Sequence, residues 1–158
     1  MENFKFNDGG RKDAGYKGET SDCVVRAIAI TTGKLYQEVY GAINVLSESK
    51  HLGSRKIKTA YGTSYVKISA SRTGVTRKVY GEYLKLLGYE WIPTMGIGTG
   101  CKVHLKKEEL PTGRIIARVS KHVCAVIDGI INDTYDCSRE GTRCVYGYYR
   151  KNITNNNL

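Results

Sequence analysis

Ser120-Lys121-His122-Val123-Cys124-Ala125-Val126-Ile127-Asp128-Gly129-Ile130-Ile131-Asn132-Asp133-Thr134 is the stretch on which the fold turns. Two runs rich in β-branched residues flank Asp128-Gly129, the composition of a two-residue hairpin turn with positive φ. Equal steps away from that turn set Ile127 against Ile130, Val126 against Ile131, Ala125 against Asn132 and Cys124 against Asp133. His122 then heads one strand, and the carboxylate of Asp133 lies near it on the returning strand. Outward from the hairpin, Arg114 to Val119 and Cys144 to Tyr149 read as further strands. A Ser-Lys turn separates the first from the hairpin, and a Ser138–Thr142 loop separates the second.

Upstream the period changes from two to that of a helix. Thr20, Ser21 and Asp22 are N-cap candidates for a short helix from Cys23 to about Thr32, with Val24, Ala27, Ile28, Ala29 and Ile30 as its buried stripe and Gly33 as its stop. A second helix is expected over Leu35–Glu48, with Tyr36, Val39, Tyr40, Ile43 and Leu46 or Ser47 on its buried side. Thr76 caps a third, Arg77–Leu87, closed by Gly88. Tyr89–Pro93 reads as a strand ended by proline. Residues 1–19 read as an arm, 50–75 as a long loop or insertion with room for short strands, and 152–158 as a frayed tail. The expectation is one α+β domain over residues 1–158, with N-terminal helices packed on a C-terminal antiparallel sheet.

This order of elements carries chemistry. A cysteine in the first turn of a helix feels the positive end of the helix dipole, which favours thiolate. An imidazole beside it would hold the proton, and an acid would orient the imidazole. Cys23, His122 and Asp133 fill those roles, with Asp136 as a second orienter if the strand is longer or bulged. Of the three histidines, His51 sits in a basic loop and His104 in Lys102-Val103-His104-Leu105. Only His122 has a hairpin and an acid behind it.

Ser21-Asp22-Cys23-Val24-Val25-Arg26-Ala27, then Lys121-His122-Val123-Cys124-Ala125-Val126-Ile127-Asp128-Gly129, then Asn132-Asp133-Thr134, resembles the papain-like cysteine peptidase superfamily. The likeness is to its small double-glycine-peptidase-like and transglutaminase-like branches, and the chain as a whole resembles small papain-like proteins of phages and bacteria. The resemblance implies a papain-like fold. It also implies Cys23 as nucleophile, His122 as base and Asp133 as orienter in cleavage of an amide, peptide or isopeptide bond of a protein. Such peptidases carry a glutamine a few residues before the cysteine as an oxyanion donor. Residues 16–22 have none, leaving the Cys23 amide with Asn7, Lys17, Thr20 or Asp22 as candidates. A deamidase, an acyl transferase or an inactive binder on the same fold stays open.

Composition bounds the alternatives. The chain has 158 residues, 41% apolar content and a formal charge of +10. Its apolar runs are too short to span a bilayer, and its first dozen residues lack the apolar core of a secretory signal, so a cytoplasmic setting and no membrane partner are expected. The five cysteines form no tidy framework and are expected to be free thiols. Cys101-x2-His104 with Cys137-x6-Cys144 is the one arrangement suggestive of zinc, but the second spacing is unusual, and no metal or other cofactor is expected. The glycines of Met95–Gly100 lack the Gly-Lys-Ser/Thr ending of a phosphate loop. Basic concentrations at Lys50–Lys58 and Lys102–Lys107, with twelve tyrosines, admit a different function. That alternative is a non-catalytic module binding nucleic acid or an acidic host protein.

Overall fold

The computed structural model describes residues 2–18 and 20–152. Its core is a six-stranded sheet. In chain order the strands are β1 (Phe4–Phe6), β4 (Tyr89–Pro93), β5 (Arg114–Val119), β6 (His122–Ile127), β7 (Ile130–Asp133) and β8 (Gly147–Lys151). The separate pair β2 (Ser54–Thr59) and β3 (Gly62–Lys67) forms its own hairpin, and the helices are α1 (Cys23–Thr32), α2 (Tyr36–Glu48) and α3 (Arg77–Leu86). The sheet order is β1-β7-β6-β5-β8-β4, antiparallel throughout except that β1 runs parallel to β7. The α+β expectation therefore holds.

The local reasons are those of the sequence. Asp128 and Gly129 both take positive φ, at 50° and 80°, as a two-residue turn matched to strand twist requires. The register follows, with Ile127 opposite Ile130, Val126 opposite Ile131 and Ala125 opposite Asn132. Gly33, at φ 75°, closes α1 in the left-handed conformation. α2 buries Tyr36, Val39, Ile43 and Ser47. Ser47 wins over Leu46 because the backbone of Gly53 packs on it, its amide donating to the Ser47 carbonyl at 2.7 Å.

Both faces of the sheet are covered. On one, Val25, Ile28, Val39, Ile43, Val79 and Leu84 of the helices pack with Ile116, Val123 and Tyr149 of the strands. On the other, Ile115, Val119, Cys124, Val126 and Ile131 pack with Leu105, Cys137 and Val145 from the connecting segments. α1 is enclosed nearly all round, burying every residue from Val24 to Thr31, so the expected apolar stripe is in fact a whole helix in the interior.

Four expectations need correction. The 1–19 arm contains β1, whose three residues extend the sheet beside β7. Residues 50–75 are largely a β-hairpin, whose outer strand β3 is exposed along its length. The last strand starts at Gly147 instead of Cys144, because Cys144 and Val145 pair with the 103–105 segment. Of the expected tail only Asn152 lies within the described residues.

The fourth correction concerns the thiols. Cys101 and Cys144 form a disulfide with Cα atoms 5.7 Å apart, while Cys23, Cys124 and Cys137 are free. The bridge between His104 and Cys144 brings the two segments alongside, which spacing alone did not reveal. The pairing also removes the zinc arrangement, since His104 turns to Glu109 at 3.3 Å and Cys137 lies in the interior. Closing 43 residues of chain restrains the unfolded state, so Cys101→Ser should lower stability by about 2–4 kcal/mol under non-reducing conditions. Urea unfolding with and without reductant checks this. A midpoint unmoved by either reductant or substitution would show that the bridge contributes nothing.

Candidate active site

α1 and the β6–β7 hairpin meet at the start of the helix. Cys23, the first helical residue, reaches the first residues of β6. Cys23 and His122 line the same cleft, and the imidazole and the Val123 backbone amide both act to lower the Cys23 thiol. His122 Nε2 and Asp133 Oδ2 are 2.7 Å apart. Asp133 is almost fully buried, and its other oxygen accepts the Thr134 amide at 2.7 Å and the Arg26 guanidinium at 3.2 Å. Residues far apart in the chain are thus assembled in the order thiol, imidazole, carboxylate.

The electrostatics follow from this packing. Burial by itself would raise the Cys23 thiol, but the hydrogen bond and charge of His122, the Val123 amide and Arg26 together hold it below its ordinary value of 9.0. Burial would lower His122, but hydrogen bonds with Asp133, Cys137 and Cys23 push it up to about 12. Burial would raise Asp133, and His122, the Thr134 amide and Arg26 bring it below the usual carboxylate range. All three shifts favour a thiolate–imidazolium–carboxylate row.

Arg26 is the residue that sequence reading passed over. It sits on the apolar helix, buried, and joins the acid at the helix start, Asp22, to the acid on the strand, Asp133. Asp22 has no exposed surface. It accepts from Arg26, from Tyr36 Oη at 2.5 Å, and pairs with Arg11 at 3.3 Å. It occupies the N-cap position without making a side-chain cap bond, so the expected capping role is replaced by a buried ion network. The available signal was Asp22 and Arg26 four apart, one helical turn, inside an apolar run.

Cys137 was also missed. Cys124 and His122 act to lower its thiol, while Cys137 and burial raise Cys124. The His122, Asp133 and Cys137 ligand atoms lie within 4.8 Å of one another, the one cluster among the described residues with metal-ligand composition. Its histidine and carboxylate are already hydrogen-bonded to each other. Exposure separates the two thiols, since Cys137 is 2% exposed whereas Cys23 lines a cleft.

The remaining candidates are engaged in other contacts. Thr20 Oγ donates to the Arg72 carbonyl at 2.7 Å. Asn7 binds the Gly9 amide and Asn132, behind the triad. Lys17 meets Arg72 through its carbonyl. Asp22 is turned inward, as described. Asp136 is exposed and accepts the Ser138 amide at 3.0 Å, because β7 ends at Asp133 and the chain turns away, so it does not orient His122. Of the original set, Thr20 lines a cavity that also contains Cys23 and His122.

Two cavities open on the thiol and share Ser21, Cys23, Lys121 and His122. One, of about 310 Å³, runs toward Arg77, Tyr80 and Arg118. The other, about 200 Å³, runs toward Thr20, Arg26 and Tyr135. Each continues into another cavity, the first toward Trp91 and Met95 through Arg77 and Arg118, the second into a space of about 870 Å³ beside Arg11 and Arg72. The Cys–His pair therefore lies partway along a groove. Among the described residues no helix is long and apolar enough to cross a membrane. Compared with protein-family models, curated proteins and solved structures, the chain matches none of them significantly.

Proposed function

We propose that the protein is a papain-like cysteine hydrolase acting on an amide, peptide or isopeptide bond of a protein. The observation that carries this reading is the row Cys23–His122–Asp133, with the thiol at a helix start in an open cleft and Nε2 of the imidazole 2.7 Å from a buried carboxylate. With Nε2 committed to Asp133, Nδ1 is the nitrogen that exchanges the proton with sulfur. The thiolate attacks the carbonyl carbon, and the carbonyl electrons move to an oxyanion that faces the Cys23 amide. As the C–N bond breaks, the imidazolium gives its proton to the leaving amine. Water then attacks the thioester with His122 as base, releasing acid and thiol. No cofactor takes part. The chemistry requires a reduced Cys23, which is one of the three cysteines outside the disulfide.

The alternative of a non-catalytic basic binder has one feature in its favour. The β2–β3 hairpin exposes Arg55, Lys56 and Lys58 together with Tyr61, Tyr65 and Val66. Such a surface would hold a nucleic acid or an acidic protein with steep salt dependence. A fluorogenic peptide library tests the hydrolase reading. Cys23→Ala should abolish turnover of any peptide the wild type cleaves while the circular dichroism spectrum stays the same. Full activity in the alanine variant would overturn the assignment.

A further inference from the structure

The arm of the groove that leads from the thiol over Arg77 and Arg118 is built for negative charge. Arg77 opens α3 and lies 4.9 Å from the centre of the Trp91 ring. Arg118, from β5, lies 5.5 Å from the centre of the Tyr146 ring. Both line the cavity containing Cys23 and His122 and the cavity beyond it. Lys121 lines the first as well, and none of the residues lining either cavity is Asp or Glu. Among the described residues, neither Arg77, Arg118 nor Lys121 has a carboxylate within salt-bridge distance. Two other cations near the triad are paired, Arg26 with Asp22 and Asp133, and Arg11 with Asp22.

Two guanidiniums seated on aromatic rings, from two different elements, are held in place without being discharged. Stacking leaves the edge of each fork free for a planar, two-oxygen acceptor. The start of α3, with no acidic residue in its first turn, adds its dipole on the same side. We infer that this arm is the subsite for an acidic side chain, so that the substrate is an extended acidic polypeptide carrying Asp or Glu close to the bond attacked by Cys23. This rests on the hydrolase reading and names its substrate class. A carboxylate on a peptide is favoured over the phosphate of a nucleic acid because the same cavity holds the thiol and imidazole that the hydrolase reading directs at a peptide bond.

The test reads protection of Cys23 from iodoacetamide by mass spectrometry. The probes are a decamer of glutamate, a decamer of lysine and a single-stranded oligonucleotide of matching length. The quantity is the alkylation rate without probe divided by the rate with it, measured in wild type, Arg77→Gln, Arg118→Gln and the double variant. Glutamate should protect and lysine should not. Each substitution should cut the protection up to about fivefold, the range of one exposed ion pair, and salt should weaken it. If Cys23 is rapidly alkylated below its ordinary titration range, yet glutamate gives no protection or the variants protect as well as wild type, the acidic subsite is wrong and the hydrolase reading stands. Protection by the oligonucleotide alone, lost in the double variant, overturns the peptide in favour of a nucleic acid. A Cys23 that reacts no faster than an ordinary thiol overturns both readings.

Discussion

His122→Ala should slow alkylation of Cys23 several-fold at roughly pH 6.5, since a thiol returned to a higher pKa holds less thiolate there. The sign follows from the site. The folded thiol titrates below its ordinary value of 9.0, so the reactive thiolate persists as pH falls below that value and is lost only on passing the lowered one. Removing the imidazole takes away the hydrogen bond and the charge that oppose burial, and the whole curve moves to higher pH. Cys137 offers an internal control, because it shares the imidazole but lies in the interior. Rate against pH for each cysteine, resolved by peptide mapping, separates the two. A Cys23 curve that does not move in the variant would mean that His122 is not its partner.

Asp22→Ala should cost about 3–5 kcal/mol, the range for breaking a buried ion pair from one side. The loss leaves the Arg26 guanidinium with Asp133 alone and the Tyr36 hydroxyl, 2.5 Å from Asp22, without its acceptor. Asp22→Asn keeps the shape and one acceptor oxygen and should recover part of that loss. Guanidinium unfolding followed by tryptophan fluorescence measures both, with Trp91 as the single reporter. Equal stability of wild type and Asp22→Ala would show that the network contributes nothing to the fold. Because Arg26 also holds Asp133, the alanine variant should disturb the pH profile of Cys23 as well, although Asp22 touches neither thiol nor imidazole.

What could be read from the sequence was local. Asp128-Gly129 demands a particular turn, the turn fixes the register, and the register sets Asp133 near His122. The three helices follow from their periodicity and from Gly33 and Gly88. What could not be read depends on partners distant in the chain or on burial without pattern. β1 is three residues, Phe4-Lys5-Phe6, and becomes a strand only because β7 offers it an edge. β2 and β3 lack an alternating pattern, since the hairpin buries almost nothing on either face. The Cys101–Cys144 pair needs the 103–105 segment to lie beside β8's approach, which no spacing announces. Arg26 is the instructive case. A charge in an apolar helix is conspicuous, and the acid one turn before it supplies half the explanation, but its second partner lies 107 residues away.

That separation has a consequence for synthesis. Translation delivers Cys23 early, and His122 and Asp133 only about a hundred residues later. Until they leave the ribosome, the nascent chain holds α1 without the strands that enclose it, and its thiol has ordinary basicity. β1 is likewise made well before β7, with which it pairs. Closure of that edge and the lowering of the Cys23 thiol therefore wait until the β6–β7 hairpin has been made.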